Sequence, residues 1–177
     1  MENKNYCAFL RGVNVNGTTM KMQDVCSVFE KAGMTKVNSI LASGNIIFSS
    51  NKNKKELKLL LEKAMSKHFN YEAFLFLKER TEIGIIIKNN PFIINKDYHN
   101  YCFIGVDEIE KVLIEKFNSS TKIKGEEAQI NSNTFYWKVS KGNTLESEFG
   151  KILGQKNLKN SFTSRNINTI EKVLNKM

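Results

Sequence analysis

The sequence predicts an α+β fold in which two similar split βαβ units are packed together. Three observations predict it. Apolar runs of strand length and amphipathic stretches of helix length follow one another as strand-helix-strand-strand-helix-strand over residues 6–78. The order strand-helix-strand-strand-helix recurs over residues 98–153. The length, 177 residues, suits two units of about 80–90 residues each.

Residues 6–12 read as a buried strand that ends at Arg11-Gly12. A Gly/Asn-rich turn leads into a helix over residues 21–33, where Met22, Val25, Val28, Phe29 and Ala32 recur at helical spacing and Gly33 supplies the stop. Residues 36–42 and 44–50 read as two strands about Ser43-Gly44-Asn45. Leu57, Leu60, Leu61, Ala64, Met65 and Phe69 make residues 54–69 an amphipathic helix. Ala73 through Leu77 are all apolar, so the strand over 72–78 is expected to be covered on both faces. This order is the ferredoxin-like one.

The second half begins with a short helix over residues 81–90, stopped by Pro91, the single proline. Residues 98–106 read as a strand. Residues 107–117 read as a helix with Asp107 as N-cap and Val112, Leu113 and Phe117 facing inward. Residues 122–131 and 134–140 form a hairpin about Asn131-Ser132-Asn133, and residues 144–153 a helix through Leu145, Phe149, Ile152 and Leu153, ended by Gly154. A last helix is expected to start near Thr163 and carry Ile167, Ile170, Val173 and Leu174, so this unit would close on a helix rather than on a fourth strand. The expected division is a ferredoxin-like unit over residues 1–79, a linker helix over 80–97, and a second unit with its C-terminal helix over 98–177.

Composition excludes several classes. A hydrophobic share of 41% and an aromatic share of 10% provide for a packed core and argue against disorder. Apolar runs reach about five residues where a membrane helix needs roughly 20. The opening Met-Glu-Asn-Lys-Asn has no apolar signal segment. Three cysteines, Cys7, Cys26 and Cys102, make an odd number without a C-x-x-C pair. The expectation is a cytoplasmic protein, monomer or homodimer, away from membranes. Net charge is +9, from 24 Lys and 3 Arg against 18 acids. With lysine eight times as common as arginine, much of this reads as compositional bias toward Lys and Asn. The excess gathers over residues 51–69 and 150–177, two Lys-rich faces that would suit a nucleic acid. Arg11 and Arg165 stand out because the composition makes arginine rare.

Catalytic and metal motifs are absent from the sequence. His68 and His99 read as surface residues, Cys7 and Cys102 as core, and Glu126-Glu127 as neighbours pointing to opposite faces of one strand. No cofactor or metal ligand set is expected, and whether the protein is an enzyme stays open. The segment Gly12–Gly17 has the G-x-x-x-x-G spacing of a phosphate loop, but Thr18-Thr19 stands where Lys and then Ser/Thr would follow. It is either a plain βα turn using Gly17 or a weak anion site beside Arg11. RNA-recognition strands carry stacking aromatics where this chain has Ser43 and Asn45.

Three polar motifs, Leu10-Arg11-Gly12-Val13-Asn14-Val15, Ser43-Gly44-Asn45-Ile46-Ile47-Phe48 and Thr163-Ser164-Arg165-Asn166-Ile167-Asn168-Thr169, resemble the signatures of a bacterial domain-of-unknown-function family, DUF1697. The resemblance spans the chain and implies two ferredoxin-like units. This chain departs from the family pattern at Thr18, where a lysine is usual, and at Ile167, where an aromatic is usual. The motifs are either polar clasps between units or the walls of a polar cleft between them that binds an anionic or nucleotide-like small molecule. The candidate ligand-binding residues are Arg11, Asn14, Gly17, Ser43, Asn45, Arg165, Asn166 and Asn168. An enzyme acting at the same cleft, and a nucleic-acid-binding protein using the Lys-rich faces, are the alternatives.

Overall fold

Two four-stranded antiparallel sheets, each with its own helices, organise the chain. The computed structural model describes residues 3–15 and 18–177. The chain divides into one unit formed by Met1–Gly84 with Lys172–Met177 and another formed by Ile85–Glu171.

The first unit runs β1 (Lys4–Arg11), a two-residue ribbon of β2 (Asn14–Val15) and β3 (Thr18–Thr19), α1 (Met22–Lys31), β4 (Thr35–Ser39), β5 (Asn45–Ser50), α2 (Lys54–Phe69) and β6 (Phe74–Glu79), followed at once by α3 (Arg80–Lys88). Its strand order, β4-β5-β1-β6, is the ferredoxin-like order for these strands. Alternation along the strands turns Tyr6, Ala8, Leu10, Ile46, Phe48, Leu75 and Leu77 toward one face. There they share a core with Val25, Val28 and Phe29 of α1 and Leu57, Leu61 and Met65 of α2. The amphipathic pattern therefore names the correct face of both helices. Asn53 caps α2, its side chain accepting from the Glu56 N–H at 3.0 Å while Glu56 reaches back to the Asn53 N–H. The other face of the sheet is buried too, at Cys7, Phe9, Ile47 and Phe76, as the unbroken apolar run in β6 predicts.

The second unit runs β7 (Tyr98–Gly105), α4 (Ile109–Ser119), β8 (Glu127–Asn131), β9 (Thr134–Ser140), α5 (Glu148–Leu153), β10 (Phe162–Asn166) and α6 (Ile167–Lys176), with α3 leading in and α6 leading out. Its order, β10-β7-β9-β8, repeats that of the first unit. The core is aromatic: Phe103, Phe135, Trp137 and Phe162 of the sheet pack on Phe117 of α4 and Phe149 of α5, with neighbouring ring centroids 5.1–5.6 Å apart. Ser132 and Asn133, at φ of 47° and 58°, give the β8–β9 hairpin its left-handed turn.

Several expectations are corrected here. The second unit does close on a fourth strand. Residues 163–166 pair with β7 instead of opening a helix, and α6 begins at Ile167. The segment Thr-Ser-Arg-Asn lacks an apolar run, so local pattern hid a strand that tertiary pairing supplies. Asp107 does not cap α4. The N-cap is Glu108, at φ 64° and without a side-chain cap bond, so the chain enters the helix through a left-handed residue instead of an Asp cap. Val112 is 40% exposed, because only Ile109, Leu113 and Phe117 share the inward stripe with Glu110. Residues 122–126 are not strand. Glu126 sits ahead of β8, buried, and accepts from Trp137 Nε1 at 3.0 Å and from the Ile123 N–H at 3.1 Å. Leu145 is 75% exposed, since α5 starts only at Glu148, capped by the Ser147 side chain. The segment after Arg11 is no direct βα turn, for β2 and β3 pair before α1 begins.

Candidate functional site

The first motif ends β1. Arg11 pairs in register with Phe74 of β6, and burial pulls its guanidinium below the ordinary arginine value. Asn14 belongs to the β2–β3 ribbon, its backbone opposite Thr19. Gly17 lies outside the described residues. The ribbon separates Arg11 in the chain from the N-terminus of α1, where Lys21 is the N-cap without a side-chain bond.

The second motif is a tight turn tied to β1. Asn45 is fully buried and its amide donates to the Ile40 carbonyl at 2.8 Å and to Ser43 Oγ at 2.9 Å. The Leu10 N–H donates to the Gly44 carbonyl at 2.8 Å, and the Ile40 N–H to that of Asn45 at 2.8 Å. Gly44 has φ 73°, and a Cβ there would fall 2.7 Å from Val13 Cγ1 and 2.9 Å from Leu10 Cβ. Glycine is required on both counts. Both amide hydrogens of Asn45 are therefore engaged within the turn.

The third motif is split by strand alternation. Arg165 stands opposite Cys102 in register, only 8% exposed, with Nη1 donating to Thr163 Oγ1 at 2.6 Å and to the Ser164 carbonyl at 2.8 Å. Asn166, the next residue, pairs with Tyr101 and lies on the other face. That is the face of His99, two residues before Tyr101 on β7. Asn166 Nδ2 contacts His99 Nδ1 at 3.1 Å, and Asn166 Oδ1 accepts from the Asn168 N–H at 3.0 Å. The imidazole stacks at a tilt on Tyr101, centroids 5.6 Å apart.

Asn166, Asn168 and Thr169 open onto a cavity of about 550 Å³ whose remaining walls are His99, Asn100, Tyr98, Lys141 and the segment Ile94-Asn95-Lys96. All of these residues belong to the second unit. The segment before β7 is fastened by Asn100, whose Nδ2 donates to the carbonyls of Phe92 and Ile93 at 3.4 and 3.3 Å. Asn95 Oδ1 accepts from the Asp97 N–H at 2.8 Å, and the Lys141 N–H donates to the Asp97 carbonyl at 3.0 Å. Asn100 is 5% exposed, and its Oδ1 has no hydrogen-bond partner among the described residues. The wall carries two ammonium groups and several amides, and no carboxylate. Burial, reinforced by the charge of Lys141, holds the His99 imidazole below the ordinary histidine value. Such a wall offers donors and positive charge, the complement of an oxyanion. Among the described residues no cluster of His, Cys, Asp or Glu could hold a metal ion.

Of the sequence candidates, the cavity thus gathers Asn166 and Asn168. It also enlists residues that the sequence pattern does not single out: His99, which reads as a surface residue, and Lys96, Asn100 and Lys141. Parity was the available signal, since His99 and Asn166 share a face once residues 162–166 are known to be a strand paired with β7.

The sequence pattern of the family described as "Protein of unknown function (DUF1697)" matches residues 3–136. No curated protein matches the sequence. Among solved structures, the conserved bacterial protein SP0830 from Streptococcus pneumoniae superposes with a TM-score of 0.79 at 22% identity, over 99% of this chain and 99% of that one, which shows a shared fold. An unknown protein from Galdieria sulphuraria aligns over 93% of this chain and 98% of that one at 13% identity, but its TM-score of 0.29 carries no argument. No helix among the described residues is long and apolar enough to cross a membrane.

Proposed function

The chain belongs to the DUF1697 family, whose function is unknown, and we propose that it binds an anionic, nucleotide-like small molecule in the cavity of its second unit. One observation carries the reading. Asn166 and Asn168 from the third motif, His99 from β7, and Lys96 and Lys141 from two loops converge on one cavity without a carboxylate. Its volume lies within the roughly 300–1,000 Å³ common to small-molecule sites. Amide groups supply hydrogen-bonding edges for a base or sugar, and the lysines supply charge for a phosphate.

The test is thermal unfolding of the full chain with AMP, ATP or inorganic phosphate at millimolar concentration. Binding to the folded state alone raises Tm, so at least one of these anions should raise it. Lys141→Ala and Asn168→Ala, both at exposed positions, should abolish the rise while leaving the ligand-free Tm nearly unchanged. An unshifted Tm with all three anions contradicts the reading.

A second reading has an observation of its own. Lys55, Lys63 and Lys67 lie exposed along α2 without an ion pair among the described residues, whereas Lys54 and Lys58 are held by Glu82 and Glu62. A nucleic-acid backbone would neutralise such a row. Binding to random DNA or RNA that falls steeply with salt would favour this reading over the first.

A further inference from the structure

We infer that Asn166 is a positioning residue that fixes His99 as a neutral Nε2–H donor of the cavity, so that the ligand must present an oxygen acceptor, carboxylate or phosphate, to the imidazole. The inference rests on the reading of the cavity as a ligand site. It begins with the amide. Asn166 Oδ1 accepts from the Asn168 N–H at 3.0 Å, at the start of α6, and a backbone N–H can only donate. The amide is thereby oriented, with Nδ2 turned to His99 Nδ1 at 3.1 Å. An amide nitrogen also can only donate. Nδ1 must therefore offer its lone pair, and the one proton of the neutral ring sits on Nε2.

The surroundings reinforce that state. The cavity wall presents Lys96 and Lys141 with the phenol of Tyr98, and no carboxylate that would stabilise an imidazolium. A protonated ring would set an Nδ1–H against the Asn166 amino group. Relieving that clash means turning the amide, and a turned amide no longer accepts from the Asn168 N–H. The start of α6 and the tautomer of His99 are thus one linked hydrogen-bond arrangement. Nε2 has no hydrogen-bond partner among the described residues. Its N–H joins the two ammonium groups as a donor of fixed position, which selects for oxyanions over cations and over ligands that only donate.

The experiment is imidazole nitrogen NMR on the full chain labelled with ¹⁵N-histidine, with His68 assigned by His68→Gln. At neutral pH, His99 should show a protonated Nε2 and an unprotonated Nδ1. In Asn166→Asp a carboxylate oxygen faces Nδ1 and accepts from it, so Nδ1 should become protonated and the His99 titration should move up by roughly one unit or more. Should that variant fail to fold, Asn166→Ala serves: His99 should lose its fixed tautomer and show both forms in exchange. Wild-type His99 protonated on Nδ1, or a tautomer unmoved by the substitution, overturns the positioning role. Inorganic phosphate or AMP should shift the Nε2–H resonance in wild type. If the tautomer behaves as expected but neither anion moves it, the positioning stands and the ligand-site reading, with the acceptor requirement built on it, falls.

Discussion

The fourth strand of each unit occupies the same place in its sheet, at the edge beside the first strand, yet the two are opposite in chemistry. In the first unit, β6 reads Phe-Leu-Phe-Leu-Lys-Glu and buries Leu75, Phe76 and Leu77. In the second, β10 reads Phe-Thr-Ser-Arg-Asn. Both run directly into a helix. The hydrogen-bonded ladder of an edge strand depends on the backbone, so pairing leaves the side chains free to vary. The first unit uses that freedom for apolar burial. The second buries Phe162 on one face and Arg165 on the other, and delivers Asn166 and Asn168 to a cavity. The duplicated topology supplies two equivalent positions, and the polar one supports the proposed site.

The cores differ as well, and this gives the largest expected effect. Trp137→Ala should cost about 3–5 kcal/mol, because it removes the ring on which Tyr101 and Phe149 pack and strips buried Glu126 of its indole donor. Leu61→Ala in the aliphatic core should cost about 2–5 kcal/mol. Urea unfolding followed by probes in each half checks whether each substitution weakens its own unit first. Equal loss in both halves would mean that the units unfold as one cooperative body.

The polar motifs should separate next. Gly44→Ala should cost about 1–3 kcal/mol from overpacking against Val13 and Leu10. At Gly33 φ is also positive, but nothing lies within 4 Å of a would-be Cβ, so Gly33→Ala should cost only about 1 kcal/mol. Arg165→Lys should cost on the order of 1–3 kcal/mol, since the shorter lysine chain does not place its nitrogen where Nη1 donates to both Thr163 Oγ1 and the Ser164 carbonyl. If Arg165 serves the fold rather than the cavity, the Tm rise with anions should survive this change, whereas Asn168→Ala should remove it. Denaturation and ligand-shift measurements on the same variants decide the matter.

Legibility follows the same divide. The helix over 54–69 is legible because Leu57, Leu61 and Met65 repeat at helical spacing; the capping box of Asn53 with Glu56 that fixes its start is a finding of the structure. The double burial of β6 was readable because its apolar run does not alternate. The strand at 162–166 was not, since Thr-Ser-Arg-Asn has no apolar signature and its strand state depends on pairing with residues about sixty positions earlier. Without that strand the cavity wall cannot be assembled from the sequence. Without the strand, Arg165 and Asn166 look like consecutive residues of one helix start, and His99 has no reason to meet Asn166. The motifs themselves were legible as polar turns and ends, and for Ser43-Gly44-Asn45 that reading matches the hydrogen bonds of the turn.

The smallest effect is in pH dependence. With its folded value below the ordinary one, His99 binds fewer protons in the folded than in the unfolded chain as pH falls through the ordinary histidine range. Stability should be fully present above that range and decline as pH is lowered through it toward the folded value. Asn166→Asp should weaken or reverse this component. Denaturation midpoints across mildly acidic pH, compared between wild type and variant, would show it.

The most direct test of the account is a backbone and side-chain NMR titration of the full chain with AMP and inorganic phosphate. The account predicts shifts concentrated at His99, Lys141, Asn166 and Asn168, with the residues of β6 unmoved. Shifts confined to the lysines of α2, or no site-specific shifts with either anion, would contradict it.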